Sequence, residues 1–224
     1  GNVFVRDANG QIMMESETNK DGSENDKAGL PQVTTDKATK IGNFNPDWTL
    51  GWSNTLTYKG FSLYFLIDAR VGGDVISLTQ AGLDYAGVSK VTGEARMAGG
   101  YTLEGHKIAN RTDKDGKVVD MSQKFFQMVG DRGNGTTEFY RYDGTNIRLR
   151  EISLGYSFPQ QMLEKTGFIK GVDLSLVARN LFFIYKDAPF DPDATMSVGN
   201  DNQGLDTFGM PSTRNIGFNI KLTF

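Results

Sequence analysis

Hydrophobic and polar residues alternate with period two along several separate stretches of this chain, most cleanly in Asn215-Ile-Gly-Phe-Asn-Ile-Lys-Leu-Thr-Phe224. Side chains alternate faces along a strand, so Ile216, Phe218, Ile220, Leu222 and Phe224 share one face while Asn215, Gly217, Asn219, Lys221 and Thr223 share the other. The pattern predicts a strand over 213–224 of the kind that closes a barrel, because a soluble domain seldom ends on an amphipathic strand. Leu50, Trp52, Leu56 and Tyr58 alternate in the same way up to Lys59-Gly60, and Phe61, Leu63, Phe65, Ile67, Ala69 and Val71 alternate after it. These predict a hairpin of strands 48–58 and 61–71 with a very short turn. A further strand over 146–158 sets Ile152, Leu154, Tyr156 and Phe158 against Glu151, Ser153, Gly155 and Ser157, and Pro159 ends its ladder. In a strand over 171–185, Val172, Leu174, Leu176 and Ala178 alternate with Asp173, Ser175, Val177 and Arg179.

The second faces carry Ser62, Tyr64, Leu66, Asp68 and Arg70, or Glu151, Ser153 and Asp173, too polar for a dry sandwich core and suited to a wet or plug-facing lumen. Inward-facing Asp68, Arg70, Glu151, Asp173 and Arg179 are the expected polar wall. Connections alternate in length: 59–60 and 159–170 are short, whereas 72–145 and 186–212 are long, polar and Gly-rich, as when short turns face a periplasm and long loops face outside. Val3 to Met14 predicts a small hairpin around Asn9-Gly10, and residues 15–45 read as polar loop. The expected division is therefore 1–47, hairpin and extracellular loop, and 48–224, barrel strands with the two long loops.

Composition agrees with an all-β class: Gly is 27 of 224 residues and aromatics are 11%, with no bias toward helix formers. The longest apolar run, Leu181 to Tyr185, is far below the ~20 residues of a membrane helix. A barrel strand needs only about 9–11 alternating residues, so a mean hydropathy of −0.40 does not oppose one. A net charge of −3 with scattered Lys and Arg makes nucleic acid an unexpected partner. With no Cys and a single His, His106, thiolate and multi-histidine metal centres are ruled out, and no cofactor or metal site is expected. The chain opens at Gly1 without a Met, a charged n-region or an apolar h-region, so no signal peptide is expected within it, and a piece of a longer protein is.

Ile41-Gly-Asn-Phe-Asn-Pro-Asp47, Tyr58-Lys-Gly-Phe-Ser-Leu63, Arg70-Val-Gly-Gly-Asp74, Ile147-Arg-Leu-Arg-Glu-Ile-Ser-Leu-Gly-Tyr-Ser-Phe-Pro159, Ala178-Arg-Asn-Leu-Phe182 and Phe190-Asp-Pro-Asp193 occur in that order. Their order and spacing over roughly residues 40–224 resemble the carboxy-terminal part of SusC/RagA-type TonB-dependent outer-membrane transporters. The resemblance implies about the last five antiparallel strands of a large plugged barrel of about 22. It implies import of glycans or oligopeptides across the outer membrane of a Gram-negative, Bacteroidetes-type bacterium. The implied partners are a SusD-like surface lipoprotein, the TonB complex acting through a plug region that this chain lacks, the barrel-assembly machinery, the glycan or peptide cargo and outer-membrane lipid. Gly217, Phe218, Ile220, Leu222 and Phe224 match the carboxy-terminal assembly signal of such barrels. Without a plug, the chain alone is not expected to transport.

Arg148 and Arg150 keep step with the outward face of Ile152 to Phe158 and are expected beyond its outer end, against lipid phosphates or water. Tyr85, Tyr101, Phe125, Phe126, Phe139, Tyr140, Tyr142, Phe190 and Phe208 in the long loops suit either stacking on sugars or packing among loops. Gly130 to Thr137 has the glycines of a phosphate loop but no Lys before Thr, and reads as a flexible loop. Asp191-Pro-Asp193 begins like a calcium loop but has Met196 and Asn202 at the diagnostic positions; an irregular site among Asp187, Asp191, Asp193 and Asp201 is a weak alternative. No two carboxylates are set across a cleft as glycoside hydrolysis needs, so an enzyme is not expected. The rival readings are a soluble or surface β-sandwich carbohydrate-binding module and a fragment of a glycan hydrolase.

Overall fold

The computed structural model describes residues 1–34, 39–164, 167–194 and 202–224. Its largest element is an antiparallel sheet of five strands, β1 (Trp48–Tyr58), β2 (Phe61–Val71), β3 (Asn146–Ser157), β4 (Gly171–Lys186) and β5 (Asn215–Thr223), paired in chain order. These are the five expected strands. β1 and β2 meet at a two-residue turn in which Lys59 and Gly60 both take positive φ, 48° and 87°, the backbone of a primed turn that matches strand twist. A side chain at Gly60 would also press to 2.8 Å from the Ser157 carbonyl oxygen.

The register sorts the residues cleanly. Asp68 faces Gly51, Tyr64 faces Ser153, Ser175 faces Gly155 and Lys221 faces Asp173, so one side of the sheet is polar from β1 to β5. The other side carries Trp52 beside Phe65 (ring centroids 5.3 Å apart) and Phe61 beside Tyr156 (4.6 Å), then Leu154, Leu176 and Phe218. Among the described residues this apolar side stays open: Trp52 is 52% exposed and Phe218 77%. β1 and β5 are the sheet's edges, so the five strands form an open sheet.

The described residues fall into two compact units. One holds Gly1–Gly42, Ile76–Arg141 and Met196–Phe208; the other holds Asn43–Val75, Tyr142–Thr195 and Gly209–Phe224, and contains the sheet. The first unit has its own core. Three helices build it, α1 (Leu78–Tyr85), α2 (Lys90–Met97) and α3 (Met121–Val129). Each has a side-chain cap: the Ser77 hydroxyl accepts from the Gln80 amide, Ser89 from Thr92 and Asp120 from Gln123. Such caps satisfy amides that a helix leaves without partners. Met121, Phe125, Phe126 and Val129 of α3 are buried with Ile108 and Leu103 of a small hairpin and with Phe4, Ile12 and Leu30.

The stretch between β2 and β3 is therefore much more than a loop. Within the expected polar loop of 15–45, residues 15–34 depart from it, because Met14 bridges Pro31, Phe4 bridges Val33 and Thr18 bridges Glu24. The hairpin around Asn9-Gly10 is present, with Arg6 bridging Ile12. Gly130 to Thr137 is closed on itself rather than loose: Asp131 accepts from the Gly133 and Asn134 amides at 2.8 and 2.6 Å, and the Gly135 amide donates to the Asp131 carbonyl.

Candidate functional site

The charged side chains of the sheet unit converge where β2 and β3 meet the connection after β4. The pairing steps from Leu66↔Glu151 to Ile67↔Leu149, which leaves Arg150 as the extra residue of a bulge in β3. A bulge changes which face the following residues present. Arg148 thus pairs with Asp68 on the polar side, not the apolar side as simple alternation from Ile152 predicts. The opposing strand adapts at Asn180, whose φ of 51° lies where Asn is among the better tolerated residues.

Arg148 is buried, its side chain 2% exposed. Its guanidinium bonds the Asp193 carboxylate, lies 3.7 Å from Asp191 Oδ1 and stands 4.7 Å from the centroid of the Phe183 ring. Arg150 bonds Asp68 and comes within 3.5 Å of Asp193. Neither arginine is at lipid phosphates or simply solvated: the bulge turns both toward carboxylates, which corrects the sequence expectation. Lys186 adds two bonds to the same connection, donating to the Pro189 and Phe190 carbonyls at 3.0 and 3.3 Å.

Asp191 anchors the far side, accepting from the amide and hydroxyl of Ser212 and from the Asp193 amide. Burial opposes ionisation of its carboxyl, but the Ser212 bonds, the Asp193 amide and the Arg148 charge outweigh burial and hold it below the usual carboxylate range. A depressed pKa contributes stability that is complete above the ordinary carboxylate pKa, near about 4, and that fades as pH falls through the lower folded value. Protease cleavage between Asp187 and Ala194 is therefore expected to rise below about pH 4, and less so in Asp191→Asn; equal acid sensitivity of the two proteins would contradict this linkage.

The five expected wall residues share the polar side by register. Asp68 belongs to the arginine cluster. Arg70 donates to the Phe44 carbonyl at 2.8 Å, and Glu151 accepts from Arg179 Nε at 3.0 Å on the neighbouring strand. Asp173 lies toward the opposite end, facing Ser157 and Lys221. Sequence reasoning did not join Asp191 and Asp193 to the two arginines; the Asp-Pro-Asp stretch was the available signal. That pairing also leaves these two carboxylates neutralised by guanidinium groups instead of gathered for calcium, and Asp201 lies outside the described residues.

In β5, Phe218, Ile220 and Leu222 share the exposed apolar side with Ile216, Gly217 lies opposite, and Phe224 stacks on Phe168, rings 6.2 Å apart and 3° from parallel. Most loop aromatics pack among themselves: Tyr101, Phe125, Phe126, Phe139 and Tyr140 form one cluster, and Tyr142 meets Phe190. Tyr85 and Phe208 are the exposed ones.

No protein-family model matches the chain. Among curated proteins it is similar to the TonB-dependent receptor P3 of Formosa agariphila, with 26% identity over 204 residues, 89% of this chain and 18% of that protein. TonB-dependent receptor P26 of the same organism is 26% identical over 210 residues, again 89% of this chain and 19% of that protein. Among solved structures, the RagAB peptide importer in its open-open state superposes with a TM-score of 0.61 at 19% identity, covering 100% of this chain and 22% of that one. The SusC/RagA-type resemblance is borne out. The closed-closed state of the same importer gives a TM-score of 0.51 at 18% identity. These structural likenesses concern the fold, and the chain spans about a fifth of the length of the curated TonB-dependent receptors it matches.

Proposed function

We propose that this chain supplies barrel wall and extracellular segments of a TonB-dependent importer in the outer membrane of a Gram-negative, Bacteroidetes-type bacterium. The observation that carries the reading is the sheet itself. Five strands of 9 to 16 residues present one continuous polar side and one continuous apolar side, and the apolar side is open. Exposed apolar area of this breadth needs an apolar covering, and strands of about 9–11 residues suffice to cross the hydrocarbon. The similarity to TonB-dependent receptors supports lipid as that covering.

In this reading the polar side, with Asp68, Arg70, Glu151, Asp173 and Arg179, faces the lumen, where ionisable groups are tolerated. The Arg148 cluster fastens the connection after β4 over that wall. A SusD-like surface lipoprotein is the expected partner outside, TonB acts through a plug encoded elsewhere in the full protein, and the cargo is a glycan or an oligopeptide. The full-length protein should fractionate with outer membranes, co-purify with a lipoprotein and support uptake only when TonB is present. Recovery in the soluble fraction without detergent would overturn the reading in favour of a carbohydrate-binding sandwich.

The closing strand provides a second check. Phe224→Ser is expected to lower the amount of heat-modifiable, folded protein in the outer membrane several-fold, because the terminal aromatic belongs to the proposed assembly signal. Normal insertion of the mutant would dismiss that signal.

A further inference from the structure

The three helices of the first unit enclose a cleft of about 310 Å³, lined by the end of α1, by α2 and by the first turns of α3. Its lining is chiefly polar. Asp84 is 2% exposed, its Oδ1 accepts from Gln80 Nε2 at 2.7 Å, and no cation pairs with it among the described residues. Its Oδ2 accepts no hydrogen bond and is not sealed off, so the little exposure the residue has includes this atom and opens on the cleft. Asp120 uses Oδ1 for the Ser122 hydroxyl and the Gln123 amide, which leaves its Oδ2 over. Arg96 donates once, to the Gly87 carbonyl at 3.0 Å, and its other N–H groups have no partner among the described residues. Gln123 and Gln127, four residues apart on one face of α3, have side-chain amides without a hydrogen bond among the described residues. Tyr85, 48% exposed, adds an aromatic ring.

A carboxylate held this deep without a cation is costly, and its free oxygen calls for a donor from the cleft. Water alone would answer one such atom, but the other walls repeat the pattern with donors and acceptors side by side. From this arrangement we infer a subsite for one neutral sugar unit of a glycan. Every sugar hydroxyl both donates and accepts. Its O–H groups meet Asp84 Oδ2 and Asp120 Oδ2 in charge-assisted bonds, its oxygens accept from Arg96 and the two glutamine amides, and the apolar C–H face of the ring lies on Tyr85. The volume is at the low end of ligand pockets, about 300 Å³, room for a single ring. Two carboxylates against one guanidinium disfavour a uronic acid or a sulfated sugar. A cationic peptide side chain would satisfy the carboxylates but leave the Arg96, Gln123 and Gln127 donors unanswered, and an apolar one would find few apolar walls.

The inference rests on the importer reading and refines its cargo. The test titrates the full-length protein by calorimetry in lauryldimethylamine oxide, a detergent without a sugar head group. The neutral probes are maltohexaose, cellohexaose, xylohexaose and mannohexaose; hexagalacturonate is the anionic probe and acetyl-Gly-Ser-Gly-Lys-amide the cationic peptide. At least one neutral oligosaccharide is expected to bind, and more tightly than the other two probes. Gln123→Ala with Gln127→Ala should weaken that binding about tenfold, the loss of two hydrogen bonds, with an unchanged melting temperature, since both side chains are exposed and make no internal bond. Asp84→Asn, which keeps the shape, should weaken it as well. Tyr85→Ala should lose most of the binding and Tyr85→Phe should retain it, as stacking requires. Failure of all four neutral probes, tighter binding of the lysine peptide or the galacturonate, or full affinity in the glutamine double variant would overturn the subsite. Each of these would leave the importer reading standing; that reading falls separately if no TonB-dependent uptake of any cargo occurs.

Discussion

Arg148→Ala is expected to lower the unfolding temperature of the full-length protein and to release the connection after β4 to protease. The guanidinium sits between two carboxylates in a place where its side chain is 2% exposed. Removing one partner of such a buried arrangement leaves charge without compensation, at a cost of about 3–5 kcal/mol. Asp193 opens to water, its side chain 33% exposed, so the lower part of that range is the better expectation. A triple variant, Arg148→Leu with Asp191→Asn and Asp193→Asn, removes the orphaned charges together and should recover much of the loss. The heat-modifiable gel shift measures both proteins. If the single variant melts like the parent, the cluster is peripheral and the connection is held by other contacts.

Phe125→Ala is the second large effect. Phe125 is fully buried at the centre of the helical unit, 5.1 Å from the Tyr101 ring, 5.1 Å from Phe126 and 5.4 Å from Phe139. Truncating a buried Phe removes its transfer energy and leaves a cavity, together about 3–5 kcal/mol. Hydrogen exchange in α3 should accelerate by roughly two orders of magnitude or more, while amides of β3 and β4 should change little, because those strands belong to the other unit. Uniform acceleration across the chain would show that the two units open together. Phe125→Leu, which keeps most of the volume, should lose far less.

The sheet was legible because both of its faces leave a mark on every strand: period-two alternation with one greasy side reads directly from residues such as Ile216 to Leu222. The charged site was legible only in part. Asp68, Glu151 and Arg179 followed from alternation, but a bulge is a single extra residue that no periodicity announces. Arg148, beyond the bulge in β3, therefore came out on the wrong face. Asp191 and Asp193 were visible as a motif without a partner, since chain spacing says nothing about which arginine an excursion returns to. The helical unit was missed for a different reason. Its helices have only eight or nine residues, flanked by glycines that read as loop, although Met121, Phe125, Phe126 and Val129 carry the i, i+4, i+5, i+8 spacing of a helix face.

The helical unit's core also dictates an order of events. Phe4, Ile12 and Leu30 pack with Ile108, Phe125 and Tyr140, and the whole β1–β2 hairpin lies between those two sets in the chain. During synthesis, Phe4, Ile12 and Leu30 must wait, unburied, until Tyr140 has emerged. Closing so long a loop adds little to the equilibrium cost, since that cost grows only logarithmically with length, but contacts of such separation form slowly. The hairpin, whose primed turn is local, is free to form first. Its exposed apolar side, together with the waiting Phe4 and Ile12, makes the interval before closure the time when this chain is most open to aggregation.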